Sequence, residues 1–473
     1  MFFTPTNKHI CFQCVGDVVL QRTIQDEGIV RQCSYCGFEQ AALPLEELAD
    51  TIHNVLQEHF ELTPDTPAPT EYVGKEDTWE RDGAEVRMVI FDMADVSEEI
   101  AEDIRAHLSE RFGYEARKDG EEDPYDSDAH YEARTPDDYH YRDRWTWFRD
   151  EIRRRGRFFN QTAKDTLDEI FAGVDELTTY AGDSVVKVIG PGYDLATLYR
   201  ARVAFSEDDM TKYLTHPVWE LGPPQSRYAR AGRMNAEGIS VFYGALEAET
   251  CVAEVRAPVG SFVVVGSFTP TRALRLLDFN ALTEVYVKGS HFDEKFHEMR
   301  KKAAFLGRMV REISRPVMPS DEAFEYLPTQ VIAEYLVEYS KPKFDGILFQ
   351  SAQTDGCNVV LFHHASEVEP YKPPQDTETK VYFSDRDDDA ELWWASVYEK
   401  TDEPEGEGKP DEAEGYRDWR LDDPDIEWPE DRNPTLRLDV KHIQISRVQR
   451  VKYKCREIFT SRDRLSKRDS GVL

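Results

Sequence analysis

Apolar residues recur at helical spacing along the first third of this 473-residue chain. From Leu45 to Phe60 they fall three or four positions apart, which predicts a helix with one apolar face. The same spacing predicts helices at 98–112, 145–155 and 160–171. The proline-rich run 63–69 lies between the first two of these helices and predicts a linker.

From about residue 198 the pattern becomes a mixture of strand-like and helix-like stretches. Strands are predicted at 198–201, 239–243, 261–268, 275–278 and 347–350, and helices at 291–313 and 328–339. Strand-like alternation returns near the C-terminus, at 435–440, 443–448 and 451–453. This mixture predicts an α+β fold. No Gly-x-Gly-x-x-Gly run follows a strand, which argues against a Rossmann domain.

Four of the seven cysteines form two Cys-x-x-Cys pairs near the N-terminus. The spacing between Cys11 with Cys14 and Cys33 with Cys36 is typical of a zinc ribbon, in which four thiolates surround one tetrahedral metal. A closed site of this kind predicts a structural zinc. A redox dithiol and a pair of disulfides are the alternatives. The alternating residues between the two pairs predict a β-hairpin there.

The chain is strongly acidic, with 92 Asp and Glu against 58 Lys and Arg and a net charge of −34. Such a field repels nucleic acids and anionic membranes, so we expect neither as a general partner, with the zinc ribbon as the one candidate nucleic-acid contact. No apolar run approaches about 18 residues, so no transmembrane helix is predicted. The N-terminus lacks the basic start and apolar core of a signal peptide, which favours a cytoplasmic protein.

The stretch from Gly232 to Glu254 holds the residues best suited to chemistry. Arg233 and Asn235 lie in a glycine-bracketed loop, Tyr243 ends a predicted strand, and Glu254 closes the helix-like run that follows. Arginine pairs with phosphate groups, and a carboxylate stabilises a cationic sugar. The pattern therefore favours cleavage of a dinucleotide over its use in redox chemistry.

This stretch resembles the central signature of the RES family, toxins that consume NAD and are named for an Arg, a Glu and a Ser. Further blocks resemble the family in the same order, at 198–201, 326–335, 345–351 and 356–362. The resemblance implies a modified ADP-ribosyltransferase-like fold with a cleft between curved sheets. The chain departs from the family in two places: Met234 replaces an aromatic residue, and Gln350 precedes Ser351 where many relatives have two serines.

The leaving group decides how many catalytic carboxylates are needed. In NAD the nicotinamide is a cationic pyridinium, so its release as a neutral ring requires no general acid, unlike ordinary glycoside hydrolysis. One carboxylate is then sufficient. Glu254 is the candidate, and Glu247 and Glu249 are its local competitors.

The other candidate residues have two interpretations each. Arg233 and Arg200 would bind the pyrophosphate, although Arg200 suits a surface ion pair equally well. Tyr243 would stack on the nicotinamide ring or belong to the core. Asn235 would hydrogen-bond the sugar or cap its own loop. Ser351 would orient the ribose or the amide, or cap a loop.

A second resemblance precedes the RES-like region. Arg157-Phe158-Phe159-Asn160, with Leu167 and Ile170-Phe171, resembles the helical domain of the HEPN class that is often fused in front of RES domains. HEPN ribonucleases carry an Arg followed closely by a His, a spacing that Arg134 and His140 share. Pro136 and the acidic pair that follows it argue against an active ribonuclease site there.

These interpretations divide the chain into five segments: a zinc ribbon at 1–42, a helical HEPN-like region with a proline-rich linker at 43–190, a RES domain at 191–370, an acidic and flexible segment at 371–433, and C-terminal strands with a tail at 434–473. Within the acidic segment, 401–414 is predicted to be disordered.

The predicted function is that of an NAD-degrading, toxin-like enzyme, either an NAD glycohydrolase or a phosphorolase. One alternative is an ADP-ribosyltransferase that modifies a protein or a nucleic acid. The other is a non-catalytic adaptor that combines the zinc ribbon with nucleotide binding. The family resemblance also implies an Xre-like antitoxin as partner, and inhibition by the chain's own flanks would serve the same purpose.

Overall fold

A computed structural model describes residues 7–66, 81–156, 159–371, 377–385, 393–401 and 433–452. Its helices are α1 (Val18–Glu27), α2 (Leu45–His59), α3 (Val86–Ala94), α4 (Glu98–Asp119), α5 (Tyr139–Arg154), α6 (Gln161–Phe171), α7 (Glu207–Thr215), α8 (Pro217–Leu221), α9 (Ala248–Glu254), α10 (Phe279–Leu282), α11 (Glu294–Ile313), α12 (Glu322–Glu325) and α13 (Leu327–Glu338).

The strands are β1 (His9–Cys11), β2 (Ile29–Gln32), β3 (Glu39–Pro44), β4 (Phe60–Leu62), β5 (Ala84–Glu85), β6 (His130–Ala133), β7 (Val186–Ile189), β8 (Leu198–Ala204), β9 (Phe242–Ala245), β10 (Phe262–Pro270), β11 (Leu274–Asp278), β12 (Gly346–Gln350), β13 (Cys357–Leu361), β14 (Thr377–Asp385), β15 (Trp393–Thr401), β16 (Leu436–Leu438) and β17 (Gln444–Arg447). Helices and strands are mixed along the chain, which confirms the predicted α+β class.

The chain forms two compact units, each made from two separate segments. The first combines Met1–Lys187 with Asp278–Lys343, and the second combines Val188–Leu277 with Phe344–Leu473. Helices α10–α13 therefore belong to the first unit, although the sequence analysis included them in the segment 191–370. No helix in the described ranges combines the length and apolarity that a membrane crossing requires.

Amphipathic helices account for most of the first unit. Helix α2 buries the leucine and isoleucine face that its spacing predicted, and α3 and α4 share the same apolar core. Farther along, α5 and α6 pack against α11 and α13, where Tyr141 stacks on Phe305 and Phe171 contacts Tyr335. The predicted helices at 45–60, 98–112, 145–155 and 160–171 are thus confirmed, with α4 and α5 longer than expected.

The region between the two cysteine pairs contains the helix α1 followed by the strand β2, so the predicted hairpin there is wrong. Asp17 caps α1 through its carboxylate, which accepts hydrogen bonds from the backbone N–H groups of Val19 and Leu20. Leu20 and Ile24, four residues apart, face the core. The hairpin instead joins β2 to β3, with Gln32 opposite Glu39, and so encloses the second cysteine pair.

A nine-stranded sheet is the centre of the second unit. Its order is β16-β10-β8-β9-β13-β12-β11-β7, and β17 lies beside β10. Strands β8 and β9 meet at a single pair, Tyr199 opposite Ala245, whereas β9, β13 and β12 pair along their lengths. Helix α9 packs on the face that Tyr199, Val263 and Val265 present.

Two predictions for the second half of the chain change in detail. The strand expected at 239–243 begins at Phe242, because Ile239 closes the preceding loop with its N–H bonded to the carbonyl of Ala236. The segment predicted as flexible at 371–433 contains the hairpin of β14 and β15. The run 402–414 lies outside the described residues. Strands β16 and β17 confirm that the C-terminal region returns to the sheet.

Candidate active site

Glu254 is the last residue of α9, and only one of its two carboxylate oxygens is occupied. Oε1 accepts hydrogen bonds from Ser351 Oγ at 2.6 Å and from Asn358 Nδ2 at 2.7 Å. Oε2 has no hydrogen-bond partner in the part of the chain that the structure describes. The side chain is half-buried, and the two hydrogen bonds to Oε1 hold the carboxylate in place.

Ser351 follows β12, and its side chain takes part in three hydrogen bonds. Its hydroxyl donates to Glu254, and its oxygen accepts the backbone N–H groups of Gln353 at 3.0 Å and Thr354 at 3.2 Å. The backbone N–H of Ser351 also donates to the carbonyl of Gly356 at 3.0 Å. Ser351 therefore caps the turn between β12 and β13 and holds the carboxylate at the same time.

The competing carboxylate Glu247 has a structural role at the other end of α9. Its Oε2 accepts hydrogen bonds from Thr250 Oγ1 at 3.0 Å and from the N–H of Cys357 at 3.1 Å. Thr250 Oγ1 also lies 3.0 Å from Thr354 Oγ1. A Cβ atom at Gly356 would come within 1.9 Å of Thr250 Oγ1, so only glycine allows this approach. Helix α9 is thereby tied to the turn that contains Ser351.

The loop before β9 is closed by Asn235 and Tyr243. The buried Asn235 amide donates to the carbonyls of Arg230 and Ile239, each at 2.9 Å. Tyr243 Oη donates to Asn235 Oδ1 at 2.9 Å and accepts the N–H of Met234 at 3.0 Å. These contacts fix the backbone on either side of the half-buried Arg233. They favour a loop-holding role for Asn235 and Tyr243.

Strand register brings this loop and the carboxylate to one face of the sheet. In the antiparallel pair of β9 and β13, Ala245 lies opposite Asn358 and Tyr243 lies opposite Val360. Residues directly opposite each other point to the same face, as do residues two apart on one strand. Tyr243, which holds the loop, and Asn358, which holds Glu254, are therefore diagonal neighbours.

Arg200 on β8 is a half-buried cation without a compensating carboxylate among the described residues. Its guanidinium donates to the carbonyl of Leu221 at 2.8 Å. Burial, helped by the charge of Arg202, lowers the pKa of Arg200 to about 10. By contrast, Arg202 forms an ion pair with the buried Glu220. An uncompensated buried cation costs free energy that an anionic ligand can offset.

Cys251 on α9 is a buried thiol whose pKa reflects its surroundings. Burial raises the pKa of this thiol to about 12, the charge of Arg200 lowers it, and the charge of Glu254 raises it. The thiol therefore senses both charged groups. Its raised pKa also argues against a nucleophilic role for Cys251 itself.

The four N-terminal cysteines form a cluster with the geometry of a metal site. The Sγ atoms lie 3.5 Å apart for Cys11 and Cys36, 3.6 Å for Cys11 and Cys14, and 3.7 Å for Cys14 and Cys33. Four sulfurs about 2.3 Å from a tetrahedral zinc would be about 3.8 Å apart, whereas a disulfide requires about 2.05 Å. The arrangement is therefore that of a structural metal centre. Gln40 Nε2 donates to Cys11 Sγ at 2.7 Å and supports it from outside.

Comparison with protein families identifies two domains. Residues 197–384 match the RES domain, and residues 26–166 match the HEPN/RES N-terminal domain 1. The chain is a RES-domain protein with a HEPN/RES N-terminal domain. No curated protein and no solved structure matches it. Both predicted resemblances are confirmed.

The RES domain contains every residue proposed for the reaction, from Arg200 to Ser351. RES domains are typically catalytic and act on NAD, so the NAD-related, toxin-like class follows from this membership. In the N-terminal domain, His140 of the considered ribonuclease pair bonds to Glu169 at 2.6 Å, and Arg134 donates its backbone N–H to the carbonyl of His59. The match to this domain begins between the two cysteine pairs.

The structure brings together only some of the predicted site residues. Glu254 and Ser351 are in direct contact, and Asn235 and Tyr243 form a second contact pair. Arg200 does not join either pair: Tyr199 lies opposite Ala245 and shares the face of Tyr243, so the adjacent Arg200 points to the other face of the sheet. Asn358 was not predicted from the sequence. The available signal was its position as a polar residue in an otherwise apolar strand.

Proposed function

We propose that the RES domain cleaves the bond between nicotinamide and ribose in NAD, as an NAD glycohydrolase. The observation that carries this proposal is the half-occupied carboxylate of Glu254. Two donors hold Oε1, and Oε2 remains available to a ligand. This is the arrangement that a single stabilising carboxylate requires, because the charge that develops in the reaction lies on the sugar.

The reaction needs no proton donor at the leaving group. The bond between C1′ and the pyridinium nitrogen breaks heterolytically, and its electron pair neutralises the ring nitrogen. The ribosyl group becomes an oxocarbenium-like cation, which Glu254 stabilises while it accepts hydrogen bonds from the ribose hydroxyls. Water then attacks C1′ and releases a proton to solvent. The products are nicotinamide and ADP-ribose.

Arginines supply the affinity for the anionic half of the substrate. Arg233 lies in the loop that Tyr243 and Asn235 hold, beside the sheet face that Asn358 shares with Tyr243. Arg200 is half-buried without a described carboxylate partner, and a pyrophosphate would provide the missing negative charge. In a chain of net charge −34, such local arginines are the means of attracting an anion.

The cysteine cluster would hold zinc in a structural role. Four thiolates occupy all the positions of a tetrahedral ion and leave none for substrate. The metal would therefore stabilise the N-terminal fold, and we assign it no part in the cleavage.

The test is to incubate the purified full-length protein with NAD and to follow nicotinamide release by chromatography. We expect release in phosphate-free buffer and a large loss in Glu254→Gln. Glu249→Gln is the matched control, because Glu249 is exposed on the same short helix. No release by the wild-type protein, or equal loss in both variants, contradicts the proposal.

The same assay identifies the acceptor. Release that requires added phosphate, with ribosyl phosphate formation, would indicate a phosphorolase. Release that leaves ADP-ribose attached to added protein or nucleic acid would indicate a transferase. Nucleotide binding without any release would leave only the adaptor interpretation.

A further inference from the structure

A buried asparagine lies near the start of an apolar strand beside the candidate site. Asn358 belongs to β13, which pairs with β9 on one side and β12 on the other, and it is only 6% exposed. The residues that follow it, Val359 and Val360, are completely buried. A polar amide in such a position costs free energy unless hydrogen bonds compensate it. Its retention there therefore requires a reason.

The contact of Asn358 with Glu254 supplies that reason. Asn358 Nδ2 lies 2.7 Å from Glu254 Oε1, the oxygen that Ser351 also contacts. The nitrogen must be the atom that faces the carboxylate, because the amide oxygen would repel it. Two donors from different strand ends fix the rotation of the carboxyl group. Oε2 is then held in one direction.

We propose that Asn358 is a positioning residue that aims Glu254 Oε2 at the hydroxyls of the ribose attached to nicotinamide. This inference rests on the proposed function, because it takes a ribosyl ligand to be what Oε2 contacts. The register supports it, because Asn358 and Tyr243 are diagonal neighbours on one sheet face. Asn358 holds Glu254 and Tyr243 holds the loop of Arg233, so the sheet fixes the carboxylate and this loop relative to each other. Asn358 itself contacts no substrate.

The experiment compares ADP-ribose with ADP by calorimetry on the full-length protein. ADP lacks the second ribose, so only ADP-ribose reports on Glu254. Asn358→Leu should weaken ADP-ribose binding about 10- to 100-fold, the effect of losing a hydrogen bond to a charged group, and should leave ADP binding unchanged. Glu254→Ala should show the same selective loss. The double variant should lose no more than Glu254→Ala alone, because Asn358 acts through that carboxylate.

Two further variants separate positioning from folding. Asn358→Asp keeps the size of the side chain and places a negative charge against Glu254, so it should also lose ADP-ribose selectively. This variant provides the same test if Asn358→Leu does not fold. Ser366→Ala removes another buried hydrogen-bonding group of the same unit, one that bonds to the carbonyls of Ser240 and His363. It should leave the ratio of the two affinities unchanged.

The possible results distinguish this inference from the proposed function. Additive losses in the double variant, or equal loss of ADP and ADP-ribose, overturn the role of Asn358 and leave NAD cleavage standing. Selective, non-additive loss without nicotinamide release supports Asn358 and rejects the hydrolase. A wild-type protein that binds neither ligand overturns both.

Discussion

The hydroxyl of Ser351 donates its proton to Oε1 of Glu254 across 2.6 Å. The hydroxyl oxygen of Ser351 in turn accepts hydrogen bonds from the backbone N–H groups of Gln353 and Thr354. A serine hydroxyl has one proton and two lone pairs, so these contacts use its whole hydrogen-bonding capacity. Ser351 is therefore engaged in holding Glu254 and the following turn, and the oxygen left for a ligand is Glu254 Oε2.

Replacing Ser351 should lower the rate more than the affinity. In Ser351→Ala we expect kcat for nicotinamide release to fall on the order of 10- to 100-fold, because a hydrogen bond to a charged group is lost. KM should change little, since the charge on the sugar develops only in the transition state. Ser351→Thr keeps the hydroxyl and should retain most of the turnover. A raised KM with unchanged kcat in Ser351→Ala would instead mean that Ser351 contacts the bound substrate.

Arg200 should show opposite effects on binding and on stability. Arg200→Met removes a half-buried charge that lacks a described carboxylate partner, so we expect weaker ADP-ribose binding and a free energy of unfolding that rises by about 1 kcal/mol without ligand. Arg202→Met is the matched control. It removes one of the two cations that pair with the buried Glu220, the other being Lys212, and should lower the free energy of unfolding. Denaturant titration and calorimetry measure both quantities, and a less stable Arg200→Met would count against an uncompensated charge.

Arg256 adopts a left-handed conformation just after α9, with φ of 48°. A side chain in this region costs free energy that glycine avoids, and helices commonly end with glycine at such a position. Arg256→Gly should therefore raise the free energy of unfolding by up to about 1 kcal/mol. Arg256→Ala keeps the Cβ and should give no such gain. Equal denaturation midpoints for the glycine and alanine variants would refute the backbone explanation.

His291 should make the first unit sensitive to acid. Burial lowers its pKa to about 4, and the charges of Arg300, His297 and His59 act in the same direction. The unfolded chain binds a proton near pH 6.5, which the folded protein does not bind until about pH 4. Stability is therefore complete above about pH 6.5 and falls between these values, by on the order of 2 kcal/mol.

The matched variants for this prediction are His291→Phe and His442→Phe. A phenylalanine can replace the ring contacts of His291 with Phe60 and Phe296, and it does not titrate. Thermal unfolding between pH 4 and pH 7 should depend less on pH in His291→Phe than in the wild type. His442 is exposed, so His442→Phe should change this slope less than His291→Phe does. An unchanged slope in His291→Phe would exclude this histidine as the source.

Local periodicity was sufficient to predict long amphipathic helices such as α2, but it predicted neither α3 nor the helix between the cysteine pairs. Helix α2 was predictable because its apolar face repeats over fifteen residues. The ten residues of α1 include an alternating start that fits a strand equally well. The capping carboxylate of Asp17 and the burial of Leu20 with Ile24 decide for the helix. The burial of these two side chains depends on packing partners from the whole first unit, and a ten-residue pattern carries no information about them.

The sequence was sufficient to predict the charged residues of the candidate site. It was not sufficient to predict which residues they contact. Glu254, Arg233 and Ser351 could be found because each belongs to a recognisable block of sequence. The link from Asn358 to Glu254 requires the register of β13 with β9 and the packing of α9, both of which are tertiary. Similarly, Arg200 and Arg202 look alike in the sequence, and only the placement of Glu220 distinguishes them.

Metal removal should unfold the N-terminal part of the chain. The sulfur separations fit a tetrahedral zinc, so we expect one zinc ion per chain by elemental analysis. A structural zinc contributes its binding free energy directly to folding. Treatment with a strong chelator, or Cys33→Ser, should therefore lower the unfolding temperature. Cys251→Ala removes a cysteine that lies outside the cluster and should retain the metal. A metal-free wild-type protein with two disulfides, or full stability after chelation, would contradict a structural zinc.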